Sequence, residues 1–231
     1  MTSSTKTTAA TAKAEETRFR ILAAALNCFR LRGFERTTMR EIATEAGVAL
    51  GSAYYYFESK EALVMAFYEQ ASDEMSLQIE ERLARSKGLD ARLRAILDVK
   101  FEYFAPNRLF LGALSGHAAD PKNPLSPFSE ETAHIRELDL KHFATALGGS
   151  RLSVPEDLAP YVPKLLWLYQ MGLILFWISD HSPEQIRTRQ LRDKSLALLV
   201  TALKLAGFPL LRPLRKRIVD LLVTVEGENH V

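Results

Sequence analysis

Apolar residues recur along this chain at three- and four-residue spacing, and no stretch sustains a strict alternation of apolar and polar positions. Asn-Gly and Asp-Gly hairpin signals are absent. The pattern predicts an all-α protein of about ten helices, with no internal repeat and no flexible interdomain linker. A first helix starts at Thr17, carries Leu22, Ala25, Leu26 and Phe29 on one stripe, and closes at Gly33. Thr38-Met39-Arg40-Glu41 is a capping box, in which the threonine hydroxyl accepts from a backbone N–H and the glutamate reaches back to the cap residue. Gly47 supplies a left-handed stop, and a short helix over 50–57 follows after only Val48 and Ala49.

Ser59 caps a long helix predicted to run to about Arg85, before Gly88. Further helices are expected over 89–104 and 106–116. A proline-bearing loop spans 118–128, and Ser129 caps a helix that ends at Gly148-Gly149. Pro160 and Pro163 stand at the start of an apolar helix that continues to Ser179, where a missing N–H costs little. Asp180-His181-Ser182-Pro183 turns into another helix ending near Gly207. A last amphipathic helix over 213–225 places Leu214, Ile218, Leu221, Leu222 and Val225 on one stripe.

Residues 1–14 are rich in Thr, Ser and Ala, with Lys6 and Lys13 but no apolar stretch. They are expected to be a disordered tail and lack the pattern of an export signal. The expected organisation is then a three-helix helix-turn-helix domain over 15–70 and a helical bundle over 71–231. The most apolar segment, 165–178, is shorter than the roughly 18 to 20 residues of a membrane span, so a buried helix of a soluble protein is expected.

Charge narrows the possible partners. The formal net charge is only +2, so any nucleic-acid surface must be local rather than a property of the whole molecule. Basic residues exceed acidic ones modestly between Arg18 and Lys60. Cys28 is the single cysteine, which excludes an internal disulfide and a cysteine-based zinc site and suits a reducing cytoplasm. Walker, Rossmann and Ser-His-Asp signatures are missing, so no enzyme and no cofactor is expected. Glu131-x-x-His134 and Asp139-x-x-His142 have the spacing of di-metal ligand pairs. Both lie on one helix whose neighbours read as an exposed start, whereas such a site needs two helices, so no metal is expected.

Two short helices joined by a glycine-led turn, preceded by a third, make a helix-turn-helix whose second helix can enter the major groove. That helix reads Leu50-Gly51-Ser52-Ala53-Tyr54-Tyr55-Tyr56-Phe57. Three successive tyrosines, about 100° apart around a helix, cannot all be buried. Their hydroxyls suit phosphate oxygens, and small residues at 51 and 52 permit close approach to base edges. Ile42 and Phe57 are assigned to the core.

Residues 37–43, Ala46-Gly47-Val48, residues 51–57 and Ser59-Lys60-Glu61-Ala62-Leu63 together resemble the DNA-binding domain of TetR-family regulators, over roughly the first third of the chain. The resemblance implies that Thr38 holds a phosphate, that Arg40 reaches a guanine edge or a phosphate, and that Leu50, Gly51 and Ser52 face bases. Tyr54 and Tyr55 would touch backbone or a thymine methyl, and Tyr56 and Lys60 would hold flanking phosphates. Position 49, usually a serine-like cap in that family, is Ala49.

The resemblance also implies a homodimer, a double-stranded operator and a small-molecule effector, with repression the expected mode. The apolar helix to Ser179 and the one after it are similar to the pair that forms the family's four-helix dimer interface. Leu173, Phe176, Trp177, Leu196, Leu199 and Leu203 would lie in that interface. A ligand pocket is expected between the middle helices. Phe101, Tyr103, Phe104, Phe110, Leu114 and His117 would line it from one part of the chain. Phe143, Trp167, Tyr169, Gln170 and Met171 would line it from another. The scarcity of charge there implies an apolar or amphipathic effector. The basic run 212–217 ahead of an apolar stripe has the pattern of a membrane-surface helix, but a helix packed on the sensing domain is expected, with no membrane partner.

Overall fold

The computed structural model describes residues 4–227, and no strand occurs among the described residues. Its ten α-helices are α1 (Ser4–Arg32), α2 (Met39–Glu45), α3 (Leu50–Tyr56), α4 (Lys60–Arg85) and α5 (Leu89–Phe104), then α6 (Arg108–Leu114), α7 (Ala133–Gly148), α8 (Val162–Ser179), α9 (Ile186–Ala206) and α10 (Arg212–Gly227). Short 3₁₀ turns at Ala105–Asn107 and Ser115–His117 flank α6, which reduces the helix expected over 106–116 to seven residues.

The chain divides into two compact units, and the division falls inside α4. One unit comprises Met1–Ser72 with Ala105–Ile135, and the other Asp73–Phe104 with Arg136–Val231. These units differ from the expected division into 15–70 and 71–231 in that residues 105–135 group with the first. Residues 105–135 join the first unit because Phe110 of α6 stacks on Phe29 of α1 at 5.1 Å and meets the ring of Phe67 at 5.9 Å.

In the first unit, α1 begins at Ser4, so the expected tail over 1–14 is helical from residue 4 onward; residues 1–3 lie outside the described residues. Ala, Thr and Lys without Gly or Pro offer no stop signal, and the helix simply continues upstream. Thr17 is therefore an interior residue, and its hydroxyl donates to the Lys13 carbonyl at 2.8 Å. Ile21, Leu22, Ala25 and Phe29 of α1 close over Ile42 of α2, Ala53 of α3 and Leu63 and Phe67 of α4 to form the core. The capping box forms as expected: the Glu41 N–H donates to the Thr38 hydroxyl at 3.3 Å, and the Thr38 N–H donates to the Glu41 carboxylate at 2.8 Å. Gly47, at φ 64°, closes α2 with a Schellman pair in which Val48 N–H reaches the Ala43 carbonyl at 2.9 Å and Gly47 N–H reaches that of Thr44 at 3.1 Å.

The proline-bearing stretch is compact rather than open. The Ser126 hydroxyl donates to the Ala118 carbonyl at 2.9 Å and the Thr132 hydroxyl to that of Ser126 at 2.7 Å. Ser129 closes a turn onto Thr132, and α7 begins only at Ala133, later than the Ser129 cap implied.

In the second unit, the buried Arg92 guanidinium donates to the carbonyls of Leu83 and Ser86 at the end of α4, and of Thr145 and Ala146 at the end of α7. A cation there satisfies orphan helix carbonyls and complements two helix dipoles. It also accounts for the second glycine of the Gly148-Gly149 pair, since a Cβ on Gly149 would sit 2.3 Å from an Arg92 nitrogen. The start of α9 is held by the buried Asp180 carboxylate, which accepts from the N–H and hydroxyl groups of both Ser182 and Thr188. α8 reaches 18 residues, by length and composition enough to cross a bilayer, which exceeds the apolar segment read from the sequence. Its buried Gln170, bonded to a carboxylate on α7, is instead the feature of a core helix. α10 is tied on by Arg215, which donates to the Ala206 carbonyl at 2.6 Å and to Asp157 at 2.9 Å, while Leu214, Ile218 and Leu221 remain exposed.

Candidate functional site

α2 and α3 pack against one another, and α2 packs on α1, so the turn at Gly47 sets α3 on the surface of the first unit. Ala53 and Phe57 point into the core. A helix anchored at those positions must turn the intervening residues outward, and Tyr55 is 83% exposed and Tyr54 49%. Tyr56 is half-buried, with its ring edge-on to Tyr55 at 5.2 Å. Gly51 is exposed with nothing near its Cα, while Leu50 and Ser52 are half-buried. Ala49 is extended at φ −66° and ψ 147° and caps nothing with its side chain, as its missing hydroxyl dictates.

Arg40 projects from α2, exposed and without an ion pair among the described residues. Thr38 is exposed beside it, but its hydroxyl both donates to and accepts from Glu41. The Thr38 hydrogen bonds, backbone first, hold the Glu41 carboxyl below its ordinary range, and Arg32 adds an ion pair at 2.6 Å. Lys60 is half-buried at the start of α4. Its ammonium donates to the Phe34 carbonyl at 2.7 Å and that of Glu35 at 3.3 Å, and lies 4.5 Å from the centre of the Phe34 ring. These bonds tie the start of α4 to the α1–α2 connection and turn the charge inward.

The expected effector residues do not form one set. Phe110 and Leu114 are core residues of the first unit, placed there by the aromatic stack with Phe29 and Phe67, and His117 belongs to that unit by position, its side chain lying outside the described residues. The others belong to the second unit. Phe101 lies 5.5 Å from the Trp177 ring, Phe104 is edge-on to Tyr103, and Met171 is half-buried. The Tyr103 hydroxyl donates to Glu74 at 2.7 Å, and burial followed by that bond pushes its pKa up. The Tyr169 hydroxyl meets the Ser195 hydroxyl at 2.7 Å, linking α8 to α9. Phe143, Trp167 and Gln170 are buried.

Gln170 has partners that sequence reasoning missed. The Lys100 ammonium donates to one oxygen of Asp139 at 2.5 Å, and the Gln170 amide donates to the other at 3.1 Å. His142 is buried on the same side of α7, its Nδ1 4.0 Å from Asp139. The reading of Asp139 and His142 as part of an exposed helix start is thus corrected: they sit at inward positions with Phe143 and Ala146. Their spacing from Phe143 and Ala146, at i, i+3, i+4 and i+7, was the available signal. His134, by contrast, is exposed as expected.

Of the expected interface residues, Leu173, Trp177 and Leu196 are buried within this chain. Leu199 and Leu203 are half-buried and Phe176 is exposed. The open apolar positions of α8 are Leu165, Leu168, Leu175 and Phe176, in register with the exposed Gly172, and those of α9 are Leu191, Leu198 and Leu205.

A three-helix unit that presents α3 outward from a capped α2 defines a helix-turn-helix protein. Residues 21–67 match the family of bacterial regulatory proteins, tetR family, and residues 92–222 match the tetracyclin repressor-like C-terminal domain. This chain belongs to the TetR family, whose members are DNA-binding regulators rather than enzymes. The HTH-type transcriptional regulator YerO of Bacillus subtilis (strain 168) is 32% identical over 111 residues, 47% of this chain and 38% of YerO. UidR of Escherichia coli (strain K12), another HTH-type transcriptional regulator, is 27% identical over 48% of this chain and 56% of its own length. The chain therefore spans between about two-fifths and little more than half of the length of these curated relatives. Among solved structures, a tetR-family transcriptional regulator from Streptomyces coelicolor shares the fold with a TM-score of 0.62, at 21% identity over 92% of this chain and 98% of that one.

Proposed function

We propose that this protein is a cytoplasmic transcriptional repressor that binds a palindromic operator as a homodimer and leaves it when a small effector is bound. The observation that carries this reading is α3: its core contacts aim Tyr54 and Tyr55 outward beside Gly51, with Arg40 exposed on the neighbouring helix. That is a surface suited to backbone phosphates at its edges and base edges at its centre. Leu50, Gly51 and Ser52 would face the bases, and Arg40, Tyr54, Tyr55 and Tyr56 the backbone or a flanking guanine or thymine. Thr38, whose N–H and hydroxyl serve Glu41, would lie at the edge of this surface as the cap of α2, and Lys60 would support it by tying the start of α4 to the α1–α2 connection.

Dimerisation would use the open stripes of α8 and α9. Positions 165, 168, 172, 175 and 179 alternate by three and four residues, as do 191, 194, 198, 201 and 205, which is the spacing of a four-helix seam. A two-fold pairing places two recognition helices about 34–36 Å apart, one turn of DNA. The effector would act by favouring a conformation with a different helix spacing.

The test is a gel-shift titration of the purified protein on DNA flanking its own gene. A sequence-selective shift that weakens steeply with salt is the expected result. Tyr55→Ala with Arg40→Ala should abolish it while leaving the helical content unchanged. An intact protein that gives no selective shift, or a double variant that binds as well as the parent, would overturn the reading.

A further inference from the structure

No residue from 212 to 224 is buried, although α10 carries Leu214, Ile218 and Leu221 on one stripe. Arg215, Val219 and Leu222 form its half-buried side, the side that Arg215 ties to Ala206 and Asp157. The three open residues lie on the adjacent side, one turn above another. In the turn that precedes them, Phe208 is 58% and Leu210 90% exposed. Single exposed leucines are ordinary on a protein surface, whereas a run of five large apolar side chains marks a contact.

The run begins where the stripe of α9 ends. Leu198 and Leu205 belong to the open face assigned above to dimerisation, and Phe208 follows directly before the chain bends by 95° into α10. By exposed fraction, the five side chains over 208–221 present about as much apolar surface as the open positions of α8 and α9, on the order of 300 Å² for each group. Homodimer interfaces are roughly 65% apolar, so the α8–α9 stripes alone correspond to about 500 Å² per partner, below the roughly 800 Å² of a stable interface. Adding the α10 run carries the total past that value.

Arg212, Lys216 and Arg217 are exposed on α10 and would also suit an anionic lipid surface. The form of the stripe favours a helical protein surface instead. Positions 214, 218 and 221 alternate by four and three residues, the seam spacing that α8 and α9 share. Val219 and Leu222 are already half-buried, which leaves a narrow open stripe rather than the broad apolar face of a helix lying in lipid. No aromatic residue occurs between 212 and 227 to anchor at a bilayer interface.

Resting on the dimeric reading above, we propose that α10 is a dimerisation arm, whose run from Phe208 through Leu210, Leu214 and Ile218 to Leu221 is covered by a second copy of this chain. The arm adds to the stripes of α8 and α9, and its basic residues stay at the rim.

Sedimentation equilibrium of the full chain, without DNA, compares the parent with Leu214→Glu plus Leu221→Glu. Both positions are exposed, so helical content should be unchanged while the dimer dissociation constant rises roughly 100-fold. In a second measurement benzoylphenylalanine replaces Leu214, and irradiation should give a covalent product of two chains; this decides the matter if the glutamate variant does not fold. The parent is also spun with phosphatidylglycerol vesicles and should stay in the supernatant. An unchanged dissociation constant, a photoproduct confined to one chain, or vesicle binding that the glutamate variant loses would overturn the proposal. If Leu168→Glu with Leu175→Glu gives a monomer while the α10 variant pairs as tightly as the parent, the arm falls and the dimeric reading stands. A parent that is monomeric at every concentration removes the dimeric reading itself, and the arm with it.

Discussion

Ala49 occupies the cap of α3 in the extended geometry that a serine would need, so Ala49→Ser should add a hydrogen bond without moving the chain. The gain is expected at about 0.5–2 kcal/mol in urea denaturation, with the midpoint rising and the slope unchanged. Gly149→Ala has the opposite sign. Its Cβ would displace the Arg92 guanidinium from carbonyls at the ends of two helices, and a loss on the order of 2 kcal/mol follows from leaving those groups unmatched. Asp180 governs the acid response. Burial alone would raise its pKa, but four hydrogen bonds from Ser182 and Thr188 outweigh it and hold the carboxyl well below the usual range. A depressed folded-state pKa contributes stability that is present above the ordinary carboxylate value of about 4 and is lost as pH falls below it. Denaturation midpoints measured from neutral pH to about pH 3 should therefore fall less steeply in Asp180→Asn than in the parent, from a lower starting stability.

At the scale of elements, the fold was largely legible because helix signals are local. The Thr38–Glu41 box, Gly47, Ser59 and the prolines before α8 act within one turn, and each boundary they mark lies where expected. The misplaced boundaries share a cause. Nothing at Thr17 ends a helix running upstream, and Ser129 caps a single turn onto Thr132 before α7 begins at Ala133, so in both places a local signal was read as a helix boundary. The exposure of Tyr54 and Tyr55 in the candidate site was legible, since a helix anchored by Ala53 and Phe57 leaves them no interior. It was illegible where a role depends on a distant partner. Lys60 bonds across 26 positions to Phe34, and Gln170 across 31 to Asp139, separations that no periodicity reports. The α8 stripe yields its own prediction. Leu168→Glu with Leu175→Glu replaces exposed apolar side chains, so analytical ultracentrifugation should find a monomer of unchanged helicity; a persisting dimer would place the interface elsewhere.

For the whole molecule, a net charge of +2 gives little general attraction for polyanions, so binding to DNA is expected to rest on a local surface, proposed above as that of α2 and α3. The salt dependence of operator affinity should accordingly reflect a small number of neutralised phosphates, and Arg40→Ala should reduce that slope by about one. Phe110→Ala tests the division into units. Phe110 is not among the residues expected to meet DNA, yet its ring meets those of both Phe29 and Phe67. Its loss should cost about 3–5 kcal/mol and lower the melting temperature of the DNA-binding unit.

The same aromatic contact bears on recombination. A chimaera that moves the first 72 residues of this chain onto the body of a relative would carry Phe29 and Phe67 without Phe110, the ring that meets both, and would expose a greasy seam in the donated head. The unit that would carry operator specificity on the proposed reading is discontinuous: α1–α3 with the start of α4, together with residues 105–135. A crossover that carries both pieces preserves the head, and one that carries only the first breaks it.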